Sequence, residues 1–409
     1  MPGKAAKLPD GVRLSDLMSV MVLARIFPLD VVKSVLSETG KTSVRERNLP
    51  AYVVVYFVIT LWLYRQASYQ EVLRCLFDAF NWVANQPNRV AISCKAAIAQ
   101  ARAKLGPEPL ERLCAMLVQP IATEQTPGAY WRGRRVVSLD GSVLDVGDTT
   151  ANAAEFGRAG VSRGDGSAYP QLRLCSLVEN GSHVLFGTAI GPYSTGETTL
   201  ASEVVAQLKP GMLCLADRGF YGFALWQKAS KNGADLLWRV RRNMLLTCNK
   251  RLADGSYLST IYPTTKDRRN QRDGVAVRVI EYSLMGGPDA EGENIYRLIT
   301  TLLDHEAYPA LEMAALYAQR WEIEIAFDEF KTHLGGRDLV LRSKTPDGVR
   351  QELWGFIMAH HAIRCIMHDA AEKVHIPPNS LSYTHALLEI RRKLPQFLVI
   401  PPSDLESQV

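Results

Sequence analysis

The segment YAQRWEIEIAFDEFK, residues 317–331, carries four carboxylates together with an arginine and a lysine. On a helix of about 100° per residue, Tyr317, Arg320, Glu324 and Lys331 share a face of about 60°. An apolar stripe lies beside this face and consists of Leu316, Ile323, Phe327, Phe330 and Leu334. Glu324 is therefore the carboxylate placed between two cations and next to the core.

The other three carboxylates of the segment occupy different positions on this helix. Glu322 and Glu329 point away from both the cationic face and the apolar stripe, so we expect them to be solvated. Asp328 lies near Glu324 and is its rival. An ordinary structural ion-pair network would produce the same pattern.

Two more carboxylates favour chemistry over structure. Asp140 lies in the strand pattern LDGS and is followed by a turn-prone glycine, while Asp217 ends the buried run LCLAD. Polar residues at strand ends commonly line a ligand crevice in α/β sheets. We therefore expect Asp140, Asp217 and Glu324 to converge.

Three carboxylates without a His/Cys cluster suit Mg²⁺ or Mn²⁺, which prefer oxygen ligands. Two such ions about 4 Å apart can stabilise both oxygens of an in-line phosphoryl displacement. Arg320 and Lys331 would then suit phosphate oxygens of the substrate. The pattern predicts a metal-dependent phosphoryl-transfer site.

The elements that must position these residues follow from hydrophobic periodicity. Apolar residues at helical spacing predict a helical region before about residue 125, which includes the buried run 52–64. From Trp131 onward the sequence predicts strands over 134–146, 168–180, 182–193, 212–217 and 235–241, with helices over 197–209 and 223–233. This order predicts a mixed α/β sheet.

Residues 242–303 are strand-like and turn-rich, which predicts a β-rich insertion. Helix returns from about residue 308, and two further helices are predicted near 346–373 and 382–393. The predicted domains are 1–125, helical and DNA-end binding; 130–241, first part of the core; 242–303, insertion; 304–345, closing helix; and 346–409, helical region and tail.

Charge is distributed unevenly along the 409 residues. The formal net charge is +5, yet Lys231 to Asp273 alone contains ten Lys or Arg against four Asp. A local positive field of this kind is expected where a polyanion docks.

Cysteine use and hydropathy predict a cytoplasmic protein. The seven cysteines form no CxxC pair, which favours free thiols in a reducing compartment. The amino terminus has no apolar region typical of a signal peptide. The longest apolar run, residues 52–64, is shorter than the ~20 residues of a membrane span.

Two motifs leave alternatives open. Gly106 separates two helical patterns that carry Lys95, Arg102 and Lys104, compatible with a DNA-binding helix-turn-helix or with simple helix packing. His361, Cys365 and His368 share one helix face. They could bind zinc, although an amphipathic helix with a buried cysteine is commoner.

At these residues the chain resembles a known family. The spacing Tyr317-x2-Arg320-x3-Glu324-x6-Lys331 is similar to the Y-(2)-R-(3)-E-(6)-K signature of bacterial insertion-sequence DDE transposases. The sequences Leu139-Asp140-Gly141 and Asp217-Arg218-Gly219-Phe220 resemble the other two motifs of that group. The resemblance covers roughly residues 130–345.

The resemblance implies a ribonuclease-H-like core in which Asp140, Asp217 and Glu324 bind two Mg²⁺ ions. It also implies that Tyr317, Arg320 and Lys331 hold the transposon end, and that a β-rich insertion separates Asp217 from Glu324. Family members excise by hydrolysis, form a hairpin and join the freed end to target DNA. Trp238 is a candidate for stacking on a flipped base, with a core strand residue the favoured interpretation.

The leading hypothesis is thus a DNA transposase that binds terminal inverted repeats of double-stranded DNA and acts as endonuclease and strand transferase. We expect Mg²⁺ as cofactor with Mn²⁺ as a substitute, a homodimer on DNA, no membrane partner, and a bacterial cytoplasmic location at the nucleoid. The alternatives are a catalytically inactive DNA-binding relic and a ribonuclease-H-like nuclease without strand transfer.

Overall fold

The computed structural model describes residues 23–43, 49–65, 67–74, 76, 94–160, 169–283 and 295–392. The chain forms two compact units. The first unit combines the stretches Met1–Ile121, Leu144–Gln171 and Asp328–Val409, and the second combines Ala122–Val143 with Leu172–Phe327.

Most α-helices of the described residues lie where helical periodicity predicts them, whereas the helices over 150–156 and 265–270 were not predicted. They are α1 Leu29–Glu38, α2 Ala51–Leu63, α3 Lys95–Leu105, α4 Glu108–Leu117, α5 Thr150–Phe156, α6 Glu197–Val204, α7 Phe223–Lys231, α8 Thr265–Asn270, α9 Ala310–Ala318, α10 Glu322–Asp328, α11 Pro346–Val374 and α12 Tyr383–Arg392. The helix pattern over 14–22, most of that over 69–83 and the tail after 392 lie outside the described residues.

The strands also match the predicted positions. They are β1 Tyr130–Trp131, β2 Arg134–Val146, β3 Gln171–Glu179, β4 Val184–Pro192, β5 Met212–Ala216, β6 Asp235–Arg239, β7 Lys250–Arg251, β8 Tyr257–Ile261, β9 Val275–Ser283, β10 Ile295–Thr300 and β11 Val340–Leu341. The sequence did not single out β7, β8 and helix α8 within the insertion.

In the first unit, the apolar helix α2 packs against the long helix α11. Trp62 stacks on Phe356 with ring centroids 3.8 Å apart, and its indole N–H donates to the Glu352 carbonyl at 2.8 Å. A Cβ at Gly355 would meet Val58 at 2.7 Å, so the two backbones approach closely there. The run 52–64 is thus a buried core helix, as predicted.

The second unit is built on a mixed sheet with the strand order β4-β3-β2-β5-β6-β10-β9-β8-β7. Strand β3 pairs antiparallel with β4, whereas β2, β5 and β6 run parallel to one another. The predicted mixed α/β class is confirmed. The five neighbouring strands β4, β3, β2, β5 and β6 form the ribonuclease-H-like core that the sequence resemblance implies.

The insertion extends this sheet with antiparallel strands. Strand β10 pairs with β6, and β9, β8 and β7 follow in turn. Apolar side chains of β2, β5, β6, β9 and β10 pack against helix α9 in one buried cluster that includes Leu215, Leu298 and Met313. Strand alternation buries one face here because helix α9 covers it.

No helix of the described residues is both long and apolar enough to cross a membrane.

A buried ion pair connects the insertion to the segment that leads into the cluster helix α9. The Arg278 side chain is fully buried and pairs with Asp254, and its Nε donates to the Ser256 hydroxyl at 2.8 Å. Asp254 in turn accepts the backbone N–H of Ala310 at 2.9 Å, at the start of helix α9. The pair therefore fixes the insertion to the helix that precedes Arg320 and Glu324.

Replacing Arg278 with Met should lower the free energy of unfolding by about 3 kcal/mol, because it leaves the Asp254 charge without its partner. Lys266→Met is the matched control, since Lys266 lies exposed in the same insertion. Urea unfolding at neutral pH measures both variants. Equal stability of the two variants would show that the Arg278 pair does not fix the insertion.

Candidate active site

Strand pairing in the second unit brings Asp140 and Asp217 together. Strands β2 and β5 are parallel, and the register pairs Leu139 with Ala216, one residue before each aspartate. Paired strands lie about 4.8 Å apart, so the two carboxylates leave neighbouring strands at the same level. Asp217 follows the end of β5, as expected from the sequence, and its Oδ1 accepts the Gly219 N–H at 2.5 Å.

Asp140 departs from the expectation that a turn follows it. Strand β2 continues through Gly141 to Val146, so Asp140 lies in the interior of the strand. A Cβ at position 141 would come within 2.9 Å of the Glu197 Oε1. The glycine leaves room for this carboxylate and does not form a turn.

Arg320 connects the strand aspartate to the helix glutamate. Its Nη1 lies 3.6 Å from Asp140 Oδ2, and its Nη2 donates to Glu324 Oε1 at 3.0 Å. The Arg320 side chain is 13% exposed, against 44% for Glu324. The spacing of four residues, predicted to place both on one helix face, is what allows the guanidinium to reach both carboxylates.

Tyr317 is buried one turn before Arg320. Its hydroxyl donates to the Ala216 carbonyl at 3.3 Å, directly before Asp217. Burial raises the pKa of the Tyr317 phenol, so it stays protonated and remains a donor. Tyr317 thus fixes the helical segment to the strand end that carries Asp217.

The helical segment is less regular than an ideal helix. A 3₁₀ turn spans Gln319–Trp321, helix α10 follows, and a π-helical turn spans Glu329–Leu334. Ile323 and Phe327 of the predicted apolar stripe are buried in the second unit. Phe330 and Leu334 of the stripe are buried in the first unit, where Lys331 is half-buried on the π-helical turn.

The prediction that both carboxylates are solvated is wrong for Glu329, whereas Glu322 is half-buried, with 27% of its side chain exposed. Glu329 is buried in the first unit and pairs with Arg364, whose side chain is fully buried. Glu322 Oε2 lies 2.6 Å from the His183 Nε2 and accepts a hydrogen bond when that nitrogen is protonated. Partners distant in sequence, which a helical projection does not contain, determine the burial of both carboxylates.

The charge of Asp140 is disfavoured by its surroundings. Burial is the largest cause that raises its pKa to about 6; the Gly141 N–H and Arg320 oppose this rise, and Asp217 and Glu197 add to it. Sequence reasoning missed Glu197, which lies at the start of helix α6 and acts electrostatically on Asp140. Nothing in the pattern STGETTL distinguishes it from an ordinary helix start.

The site fits a hard divalent cation, because such ions take oxygen ligands and the acidic side chains around Asp140 supply carboxylate oxygens. Among the described residues, no three or more His, Cys, Asp or Glu side chains are grouped closely enough to hold one metal ion. Arg320 is the cation that contacts both Asp140 and Glu324. Pairs of carboxylates, such as Asp140 with Asp217, are the sets that could share an ion.

The remaining sequence candidates have structural contacts. Arg102 is buried in the first unit and donates to the side chains of Gln351 and Ser343 at 3.2 and 3.1 Å, which favours the helix-packing interpretation of its motif. Trp238 is fully buried and packs edge-on against Trp226, with ring centroids 5.3 Å apart. Both residues therefore stabilise the fold of their own unit.

The second pair of alternatives lies on helix α11 in the first unit. The Cys365 thiol lies 3.4 Å from the His361 Nε2, and burial lowers the pKa of His361 to about 3. The neutral imidazole can therefore accept from the thiol. This contact is typical of an amphipathic helix with a buried cysteine.

Asp140→Asn should stabilise the protein at pH 8 in a chelating buffer. The folded-state pKa of about 6 exceeds the unfolded value of 3.8, so the carboxylate lowers stability as pH rises through 6. We expect the variant to gain about 1–2 kcal/mol of unfolding free energy at pH 8, after screening, and little near pH 4.

Chemical denaturation at both pH values measures this difference. Glu312→Gln serves as the control because Glu312 is an exposed partner of Arg132 in the same unit. A loss of stability at pH 8 in Asp140→Asn would contradict the electrostatic account of the site.

The sequence matches two family models along most of its length. Residues 17–115 match the insertion element 4 transposase N-terminal family, and residues 131–361 match the transposase DDE domain family. The second match covers more than half of the chain.

The chain is also similar to individual known proteins. The chain is 28% identical over 374 residues to transposase InsG for insertion sequence element IS4 of Escherichia coli (strain K12), covering 89% of this chain and 80% of that protein. A chain of the piggyBac transposase synaptic complex with hairpin DNA aligns with a TM-score of 0.46 at 11% identity, over 95% of this chain and 81% of that one. From the two family models and the InsG similarity, the chain belongs to the insertion element 4 family of DDE transposases.

Proposed function

We propose that this transposase binds the terminal inverted repeats of its own element, cleaves the DNA at those ends and joins them to a target. The observation that carries the proposal is the arrangement around Arg320. Asp140 and Asp217 leave adjacent parallel strands, and Arg320 contacts both Asp140 and Glu324. These are the three carboxylates that the family signature assigns to catalysis.

Asp140, Asp217 and Glu324 are the residues that would hold Mg²⁺, with Mn²⁺ as a substitute. When bound, a pair of such ions supplies positive charge for both the attacking and the leaving oxygen of an in-line phosphoryl displacement. The chain itself supplies orientation. Strand pairing fixes the two aspartates, and the Tyr317 hydroxyl fixes the backbone directly before Asp217.

Arg320 and Lys331 are proposed to bind the phosphates of the element's end. Guanidinium and ammonium groups make strong, charge-assisted hydrogen bonds to phosphate oxygens. Arg320 already lies at the carboxylates, so a phosphate that binds Arg320 is also close to Asp140 and Glu324. Tyr317, which the resemblance also associates with the DNA end, would act by holding this segment in place.

Exposed cations provide further contacts for DNA. The basic segment Lys231–Asp273 of the second unit presents Arg241, Arg242, Lys250 and Arg251 to solvent. In the first unit, a cavity of about 960 Å³ is lined by four cations besides the buried Arg102, namely Lys95, Arg342, Lys344 and Arg350, against two carboxylates. Such surfaces favour a polyanion and support binding of the phosphate backbone.

Cut-and-paste transposition requires that both ends of the element are cut in one complex. We propose that two copies of the chain, each with one carboxylate site, bind the two ends as a homodimer on DNA. The domain boundaries predicted from the sequence, including the DNA-end-binding region 1–125, belong to this proposal. The protein would act in the bacterial cytoplasm, at the nucleoid.

Two other functions compete with this proposal. A DNA-binding relic would use the basic surfaces alone, yet burial raises the pKa of Asp140 to about 6, and DNA binding does not require a carboxylate perturbed in this way. A nuclease without strand transfer would use the carboxylates alone. The appearance of joined products distinguishes it from a transposase.

Glu324→Gln should abolish excision while leaving binding to the element's ends within about threefold of wild type. The substitution keeps the side-chain shape and the contact with Arg320 but removes the charge that a divalent cation requires. A plasmid carrying a marker between the native ends, incubated with Mg²⁺, reports excision and joining. Electrophoretic mobility shift with end DNA reports binding.

Asp328→Asn is the matched control, because this exposed carboxylate lies one turn further along and pairs with His333. It should excise as wild type does. Equal excision by Glu324→Gln would show that Glu324 is ordinary surface. Binding without excision by the wild type would favour the relic, and excision without joined products would favour the nuclease.

A further inference from the structure

A buried turn in the second unit contacts both strand β2, which carries Asp140, and the helical segment that carries Arg320 and Glu324. The turn joins β3 to β4 and comprises Glu179, Asn180, Gly181, Ser182 and His183. Its four side chains are all at most 1% exposed. A Cβ at Gly181 would meet Ala129 at 2.5 Å, so the turn is held tightly against its neighbours.

Asn180 joins two elements that carry active-site residues. The Ser138 hydroxyl, on β2 two residues before Asp140, donates to Asn180 Oδ1 at 2.8 Å. The Asn180 Nδ2 donates to the Gln319 carbonyl at 3.0 Å, in the 3₁₀ turn that contains Arg320. A single side-chain amide therefore fixes the distance between the Asp140 strand and the Arg320 turn.

His183 reaches the same segment at the next residues. Its backbone has a positive φ of 58°, which is uncommon for a residue with a side chain. In this conformation His183 Nε2 lies 2.6 Å from Glu322 Oε2. Glu322 is the first residue of helix α10 and precedes Glu324 by two residues. Backbone strain at a buried contact is expected where the contact serves a site.

We infer that Asn180 and His183 are positioning residues for the transposase reaction. They hold the 3₁₀ turn and the start of helix α10 at a fixed distance from strand β2, so that Arg320 and Glu324 face Asp140. Neither residue touches the reacting groups. The inference rests on the proposed function, because the carboxylates are what the two residues position.

Ser182 is the matched control within the same turn. It is fully buried and its hydroxyl donates to Glu179 at 2.5 Å, so it contributes to the stability of the turn. Its side-chain contacts, to Glu179 and to the Val184 N–H, are within the hairpin. Ser182→Ala thus disturbs the turn without removing a bond to the active-site helix.

The test compares Asn180→Ala, His183→Asn and Ser182→Ala under single-turnover conditions with saturating end DNA. We expect cleavage to fall about 10- to 100-fold in the first two variants, as for small displacements of reacting groups. Ser182→Ala should cleave as wild type does, although its melting temperature falls about as much as in the other two variants. Asn180→Asp, which retains the acceptor and loses the donor to Gln319, repeats the test should Asn180→Ala fold poorly.

Hydrogen exchange of the DNA-free protein gives a readout independent of activity. Amides of residues 319–324 should exchange faster in Asn180→Ala and His183→Asn than in wild type and Ser182→Ala. Unchanged exchange there, or equal cleavage in all three variants, would overturn the positioning role. If the two variants exchange faster than wild type but the wild-type protein itself does not cleave DNA, the positioning role stands and the proposed function is refuted.

Discussion

The contact of Arg320 with two carboxylates is the interaction on which the site depends. Asp140 leaves a strand and Glu324 leaves a helix, and the guanidinium that contacts both offsets their mutual repulsion. The guanidinium reaches both because Arg320 precedes Glu324 by one helical turn. Burial raises the pKa of Asp140 despite this contact. We propose that the carboxylates bind a divalent cation and that Arg320 binds a phosphate.

The elements around this contact hold the two sides of the site at a set separation. Parallel pairing of β2 with β5 fixes Asp140 beside Asp217, and the Tyr317 hydroxyl fixes the helical segment to the end of β5. The long interval between Asp217 and Glu324 is filled by strands that extend the same sheet. The buried Arg278 connects that extension to the start of the helix before Arg320. The insertion therefore continues the core and does not interrupt it.

Most elements could be predicted from the sequence, because alternation and helical spacing are direct consequences of burial on one face. Strand β2 was predicted over its full length of residues 134–146, and helix α11 to within a residue. The position of Asp140 inside its strand was not predicted. Gly141 looked like a turn residue, whereas it makes room for Glu197, a residue from a distant helix.

The errors within the helical segment have a related cause. A projection at constant angle assumes one helix type, but a 3₁₀ turn precedes helix α10 and a π-helical turn follows it. Burial of Glu329 also depends on Arg364, whose position is set by tertiary packing. Motif spacing predicts Asp140, Asp217 and Glu324 as site residues, whereas residues that contact their elements, such as Asn180, carry no signature in sequence. Local pattern predicts elements well, but contacts between elements require the fold.

The most direct test of the account is the position of Mn²⁺ in crystals of the protein bound to its element's end. Anomalous scattering locates the ions and their ligands without reference to activity. We expect Mn²⁺ liganded by Asp140, shared with Asp217 on one side and Glu324 on the other, with the Arg320 guanidinium displaced toward a phosphate. Ions bound without Asp140 and Glu324, or Arg320 still in contact with both carboxylates beside bound DNA, would contradict it.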